Sequence, residues 1–268
     1  ISFFVKLDGT MWGSGYNVSG QLVPEGPTRE LSPVQIASNV SAIATGWEHT
    51  LFVKTDHTLW AMGSNDSGQL GDGTTTDHSS PEQIATNVTS AAGGYAHSLF
   101  IKTDGTLWGT GDNTQGELGD GTFGYRTTPE QTSNAARAVA AGYAHGFVLK
   151  SDNTLWAAGD NSQGELGDDT NTDRSAFVQI ATNVLNVAAG YQYSAYVTSD
   201  NSLWTVGSNN LGQLGDGTTI NESTPESVAV NVTTVATGLA HTLFIKTDKS
   251  LWAVGYNALG QFGDNTTT

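Results

Sequence analysis

Several residue types recur along this chain at one interval, and each set suggests a chemistry. His49, His97, His145 and His241 stand at steps of 48 residues, with Tyr193 in the remaining slot. Imidazoles that converge on one point would bind a metal or move protons. A metal needs converging ligands with partners behind them, and Tyr193 interrupts the set with no compensating change nearby. The expectation is a structural histidine whose ring ties adjacent strands. Asp72, Asp120, Asp168, Asp216 and Asp264 follow Leu-Gly or Phe-Gly in Gly-rich turns, while Pro24 takes that place in the first unit. Hard oxygens in such turns suit calcium, but one or two carboxylates per turn fall short of the ~6–8 oxygens it takes. Asx turns are the expected use. Neither metal nor cofactor is expected.

The third set is aromatic. Trp47, Tyr95, Tyr143, Tyr191 and Leu239 each follow a glycine and stand two residues before the histidine position. Tyr and Trp carry energy at protein interfaces and offer stacking faces to sugars. A fourth set, Trp12, Trp60, Trp108, Trp156, Trp204 and Trp252, lies in apolar runs and is expected to pack between structural units. Catalysis finds no footing, because it needs unlike groups with unlike pKa values, and a near-perfect repeat offers one group many times. No nucleophile elbow, phosphate loop or His-Glu-x-x-His is present, so no catalytic residue is assigned.

The elements that position these residues follow from the period. Trp, Asn (17, 65, 113, 161, 209, 257) and Gly (20, 68, 116, 164, 212, 260) all keep the 48-residue spacing without insertion or deletion. Within a unit, Ser98-Leu-Phe-Ile-Lys102 alternates as a strand should. Asp104-Gly105 signals a two-residue hairpin, and Leu107-Trp-Gly-Thr110 returns. A short segment ending in Gly93-Gly94 precedes this pair. Pro129-Glu-Gln-Thr132 follows it as an edge strand, where proline's missing donor does no harm. Phe177 stands where Pro33, Pro81, Pro129 and Pro225 stand in the other units. Four strands per unit at this period make an all-β propeller blade. Six blade equivalents are visible, the first without its inner strand and the last without its outer one. Residues 1–268 are expected to form a single repeat domain, part of a longer native chain.

The pattern Asp-Gly-Thr-Leu-Trp, then Asn-x-x-Gly-Gln-Leu-Gly-Asp-Gly-Thr, a proline, and Gly-x-x-His resembles the regulator of chromosome condensation repeat across essentially the whole chain. The resemblance implies a propeller, typically of seven blades. Its members include a guanine nucleotide exchange factor, a plant ultraviolet-B photoreceptor and secreted bacterial β-lactamase inhibitors. The photoreceptor's Gly-Trp-Arg-His-Thr cluster has only Gly46-Trp-Glu-His-Thr50 to match it here, without arginine, so photoreception is not expected. The compact, cysteine-free, uniform repeats are closer in character to the bacterial inhibitors, which implies an extracellular or cell-surface location.

Charge narrows the partner. Ten Lys+Arg against 26 Asp+Glu give a net charge of −16, which opposes nucleic acid. No apolar run is long enough for a membrane helix. Asn-x-Ser/Thr triplets such as those at Asn39 and Asn87 are explained by a composition rich in those residues. Strand parity puts the Gly-x-x-His turns and the Asn-x-x-Gly loops on one face and the Asp-Gly turns on the other. The expected function is therefore a non-enzymatic module that binds a protein or glycan through Trp47, Tyr95, Tyr143, Tyr191 and Leu239. The alternative is a passive structural segment of a larger bacterial adhesin, fibre or toxin shell.

Overall fold

The structure, a computed structural model, describes residues 1–23, 26 and 28–267. Pro24, the sequence's exception to the Asp turn, lies outside the described residues. Every regular element among them is a strand. The six sheets are the expected blades of a β-propeller, the first and last with three strands and the others with four.

Two compact units divide the chain. The first comprises residues 1–114 and 122–139, the second 115–121 and 140–268. In the first unit, β1 (Ser2–Val5), β2 (Met11–Tyr16) and β3 (Arg29–Ala37) form one sheet. β4 (Val40–Thr45), β5 (His49–Lys54), β6 (Leu59–Gly63) and β7 (His78–Ala85) form the next. β8 (Val88–Gly93), β9 (His97–Lys102), β10 (Leu107–Gly111) and β11 (Arg126–Ser133) form the third.

β12 (Ala136–Ala141), β13 (His145–Lys150), β14 (Leu155–Gly159) and β15 (Arg174–Ala181) form the fourth sheet. The second unit continues with β16 (Val184–Ala189), β17 (Tyr193–Thr198), β18 (Leu203–Gly207) and β19 (Glu222–Ala229), then β20 (Val232–Thr237), β21 (His241–Lys246) and β22 (Leu251–Gly255). Neighbouring strands are antiparallel in every pairing resolved by register, and each blade runs in plain sequence order.

Burial follows from stacking. Five consecutive residues of β5, β9, β13 and β17 are buried, since sheets cover both faces of the second strand. One cluster in the first unit joins Leu51, Val53 and Leu59 of one blade to Val88 and Phe100 of the next. Ala195, Leu203, Val232 and Phe244 do the same in the second unit. The proline strands β7, β11 and β19 lie at sheet edges, as expected.

One sequence expectation is corrected. The Asp-Gly turn is a three-residue loop, not a two-residue one. Gly105 N donates to Lys102 O and Lys102 N to Thr106 O, each at 2.9 Å. Only the third loop position needs a positive φ, which Gly105 takes at 80°. That is the geometry of a turn followed by a one-residue bulge. His57, Asn153, Asn201 and Lys249 fill the same place with φ of 64–69°.

Trp12, Trp60, Trp108, Trp156 and Trp204 are partly buried, and Trp60 and Trp108 pack against clusters that join adjacent blades, as expected. Trp108 packs against the cluster that its own blade shares with the preceding one, while the Lys102 ammonium lies 3.9 Å from its ring centroid. Its indole N–H donates to Thr106 Oγ1 at 2.8 Å. That hydroxyl donates onward to Asp104 Oδ1 at 2.7 Å, which also accepts Thr106 N at 2.9 Å. The Asp104 carboxyl is held below its usual range, chiefly by the Thr106 hydroxyl.

Candidate functional site

The Gly-x-x-His turn joins the first and second strands of a blade. Gly46 N donates to His49 O at 2.9 Å, leaving Trp47 and Glu48 at the tip of the hairpin. Gly46 has no positive φ; its missing side chain makes room. A Cβ there would lie 2.0 Å from His49 Cε1 and 2.6 Å from Gly94 O. The glycine therefore admits the histidine ring beneath the tip. It is not there for backbone freedom.

The histidines are structural. His49 Nε2 meets Ser98 Oγ of the next blade at 2.9 Å, and His145 Nε2 meets Ser194 Oγ at 3.0 Å. Ser98 Oγ in turn donates to Gln69 O and Ser194 Oγ to Glu165 O. Burial pushes both imidazoles down to about 4, so each ring is neutral at pH 7. Tyr193 performs the same bridging with a longer reach: its hydroxyl donates to His241 O and accepts from Thr242 Oγ1. No group of three or more metal-ligating side chains occurs among the described residues.

The tip residues stay at the surface. Trp47 is 52% exposed, Tyr95 41%, Tyr191 38% and Leu239 58%. Tyr143 is half-buried. In the first unit the Trp47 and Tyr95 rings are 5.8 Å apart and tilted by 43°, and Trp47 N donates to Gly94 O at 3.1 Å. In the second unit the Tyr143 and Tyr191 rings are 4.4 Å apart and tilted by 47°. Each unit thus joins two successive tips into one aromatic pair, with Leu239 on a further tip of the second. Tilted pairs at these spacings are favourable, yet each leaves ring surface in water.

Beside the tips run the loops between the third and fourth strands. Asn65, fully buried, holds one together. Its Oδ1 accepts Leu70 N at 2.9 Å, and its Nδ2 donates to Asp72 Oδ1, Thr74 O and Thr76 O at 3.1–3.2 Å. Asn161 repeats these contacts with Leu166, Asp168, Thr170 and Thr172. Asp72 closes the Asx turn by accepting Thr74 N at 2.9 Å, the role expected from sequence. Loop and tip are tied together: Ser64 N donates to Glu48 O and Asp160 N to Ala144 O, each at 2.8 Å. They share one end of each blade, as strand parity requires.

Sequence reasoning found the aromatic tips and the repeating asparagine but assigned the latter no task. It passed over the buried Gln69, Glu165 and Gln213. A column-by-column reading of the repeats marks them, because Gln gives way to Glu at 117 and 165.

A profile of the RCC1-like domain matches residues 1–268, and the chain belongs to that family. Human WBSCR16 superposes with a TM-score of 0.85 at 21% identity, covering 96% of this chain and 76% of that one. Yeast RCC1 (Prp20), in its complex with Kap60, gives 0.83 at 20% identity over 99% and 71%. Prp20p from Saccharomyces cerevisiae, described with its binding to Gsp1p and histones, gives 0.79 at 20% over 95% and 68%. No curated protein sequence matches the chain.

Proposed function

We propose that this protein is a non-enzymatic binding module whose partner, a protein, docks on the aromatic tips. The exposed ring surface of Trp47, Tyr95 and Tyr191 carries the reading. The turn backbone closes through Gly46 and His49 alone, so the rings are dispensable to it. Large aromatics presented at a surface are the usual anchors of an interface. The similar yeast RCC1 (Prp20) is described with Kap60, Gsp1p and histones, which favours a protein over the other ligand that stacks on aromatic rings, a glycan. Extracellular or cell-surface placement belongs to the same proposal and rests on the resemblance to secreted bacterial members.

A photo-crosslinking residue at Glu48 or Gln192, both at hairpin tips, tests the reading in cultures of the source organism. The expected result is a discrete protein adduct that disappears when Trp47→Ala and Tyr95→Ala, or Tyr143→Ala and Tyr191→Ala, are added. A crosslinker at Asp104, at the other end of a blade, is expected to give none. Adducts only from Asp104 would refute the aromatic site. Adducts from neither end, with no signal on a glycan array, would leave the passive structural segment as the better account.

A further inference from the structure

The loop position after Asn-x-x-Gly is an amide in four of the six blades, buried at Gln21, Gln69 and Gln213. In the first unit, Gln69 Oε1 accepts Ser67 N at 2.9 Å and its Nε2 donates to Ser64 Oγ at 3.1 Å. Gln213 repeats this in the second unit with Leu211 N and Ser208 Oγ, at 2.9 and 3.4 Å. Each side chain fits because one terminal atom accepts and the other donates. In the blade of β12–β15 both partners change: Gln becomes Glu165 and Ser becomes Asp160. Glu165 is fully buried and Asp160 is 5% exposed. Glu165 Oε2 takes over the acceptor role, receiving Gln163 N at 2.8 Å. Its Oε1, which replaces the donor of the other blades, is buried and has no hydrogen-bond partner.

A carboxylate has no hydrogen to give, whereas a carboxylic acid has one. An ionised Oε1 buried beside a second carboxylate would be costly on both counts. We propose that Glu165 is a proton-binding site built into the fold, protonated on Oε1 when the blade is formed and donating that hydrogen toward Asp160. The proton comes from solvent on folding and returns to it on unfolding. The groups facing Glu165 agree. Asp160 and Asp173 both disfavour its charge, and burial, the largest influence, pushes its carboxyl up to about 8. On β13, His145 is held neutral by burial. On β17, the Tyr193 phenol is kept neutral well above its ordinary range, so neither supplies a positive charge.

The sign of the pH effect follows. Glu165 is more basic folded than unfolded, so its contribution is complete below the unfolded value near 4.5. It is then lost as pH rises through about 8, and the folded protein holds one extra proton across that window.

The test reads folding, not partner binding. Thermal unfolding is followed from pH 5 to pH 9 for wild type and Glu165→Gln, alongside the infrared difference spectrum of the two at pH 7. Gln is native to this position in other blades, so the variant retains the local geometry. Expected are, between pH 6.5 and pH 8, a pH slope shallower by one proton in Glu165→Gln and, in the difference spectrum, a protonated-carboxyl band from wild type. The sequence repeats the exchange at Asp112 and Glu117, which the difference spectrum cancels. Asp160→Ser alone should shift the pH-dependent loss to lower pH by removing the neighbouring charge. An unchanged slope with loss of an ionised-carboxylate band would overturn the proposal. So would stabilisation by calcium that vanishes in Glu165→Gln, because a cation would then occupy the proton's place.

Discussion

The two ends of each blade solve opposite problems. At the Asp-x turn, polar groups are consumed internally: Asp104 accepts from Thr106, Thr106 accepts from Trp108, and Lys102 covers the indole. Blade after blade repeats this arrangement, with Lys54 over Trp60 and Lys150 over Trp156. At the Gly-x-x-His end, His49, Ser98 and Asn65 make their hydrogen bonds beneath the surface, and apolar rings are left on top. The first end closes a hairpin and has little left to offer a partner. The second supports its backbone from below, which frees the tip residues for recognition.

Acid should separate the ends most strongly. His49 and His145 are buried and neutral, with values near 4 against 6.5 for the free group. Their folded values are depressed, so the stability they confer is present above 6.5 and lost as pH falls from there through about 4. The linked loss approaches roughly 3 kcal/mol per histidine. The Asp turns are held below their ordinary range by Thr or Ser hydroxyls and stay charged to lower pH. In Glu165→Gln, which lacks the proton that Glu165 releases on unfolding, calorimetry near pH 5 should show about two protons taken up on unfolding, a count that an exposed pair of histidines would not give.

Asn65→Ala comes next. It leaves Leu70 N and the carbonyls of Thr74 and Thr76 without their partner. Stability should fall by about 3 kcal/mol in denaturant titration, on the scale of several unsatisfied groups. Thr106→Val, at the opposite end, removes one hydroxyl from an exposed relay and should cost only about 1 kcal/mol by the same method. A reversed order would mean that the Asp turns, and not the asparagine loops, hold the blades together.

Fold was far more legible in the sequence than site. The 48-residue register of Trp60, Asn65 and Gly68 reveals blades because every blade needs the same packing and the same loop closure. The three-residue Asp turn was missed because Asp104-Gly105 reads alike in two loop lengths. Only the partner of Lys102 N, which is Thr106 O, separates them. The packing of the tryptophans between blades could be read from their period, whereas the lysine lying across each ring could not, because composition does not show it. The aromatic tips could be found by period, but their exposure depends on how Gly46 lets His49 pack under Trp47. Glu165 escaped because its meaning lies in a difference between blades, and the eye follows what repeats.

The most direct measurement compares the partner captured at the hairpin tips across two variants. One is Trp47→Ala with Tyr95→Ala; the other is Lys54→Ala with Lys102→Ala at the far end of the same blades. The tip variant should bind at least ~100-fold more weakly, given ~2 kcal/mol or more for each lost anchor. Its unfolding midpoint should change little, because the turn closes through Gly46 and His49. The lysine variant should bind like wild type. Unchanged affinity in the tip variant, with loss in the lysine variant, would contradict the account and move recognition to the Asp turns.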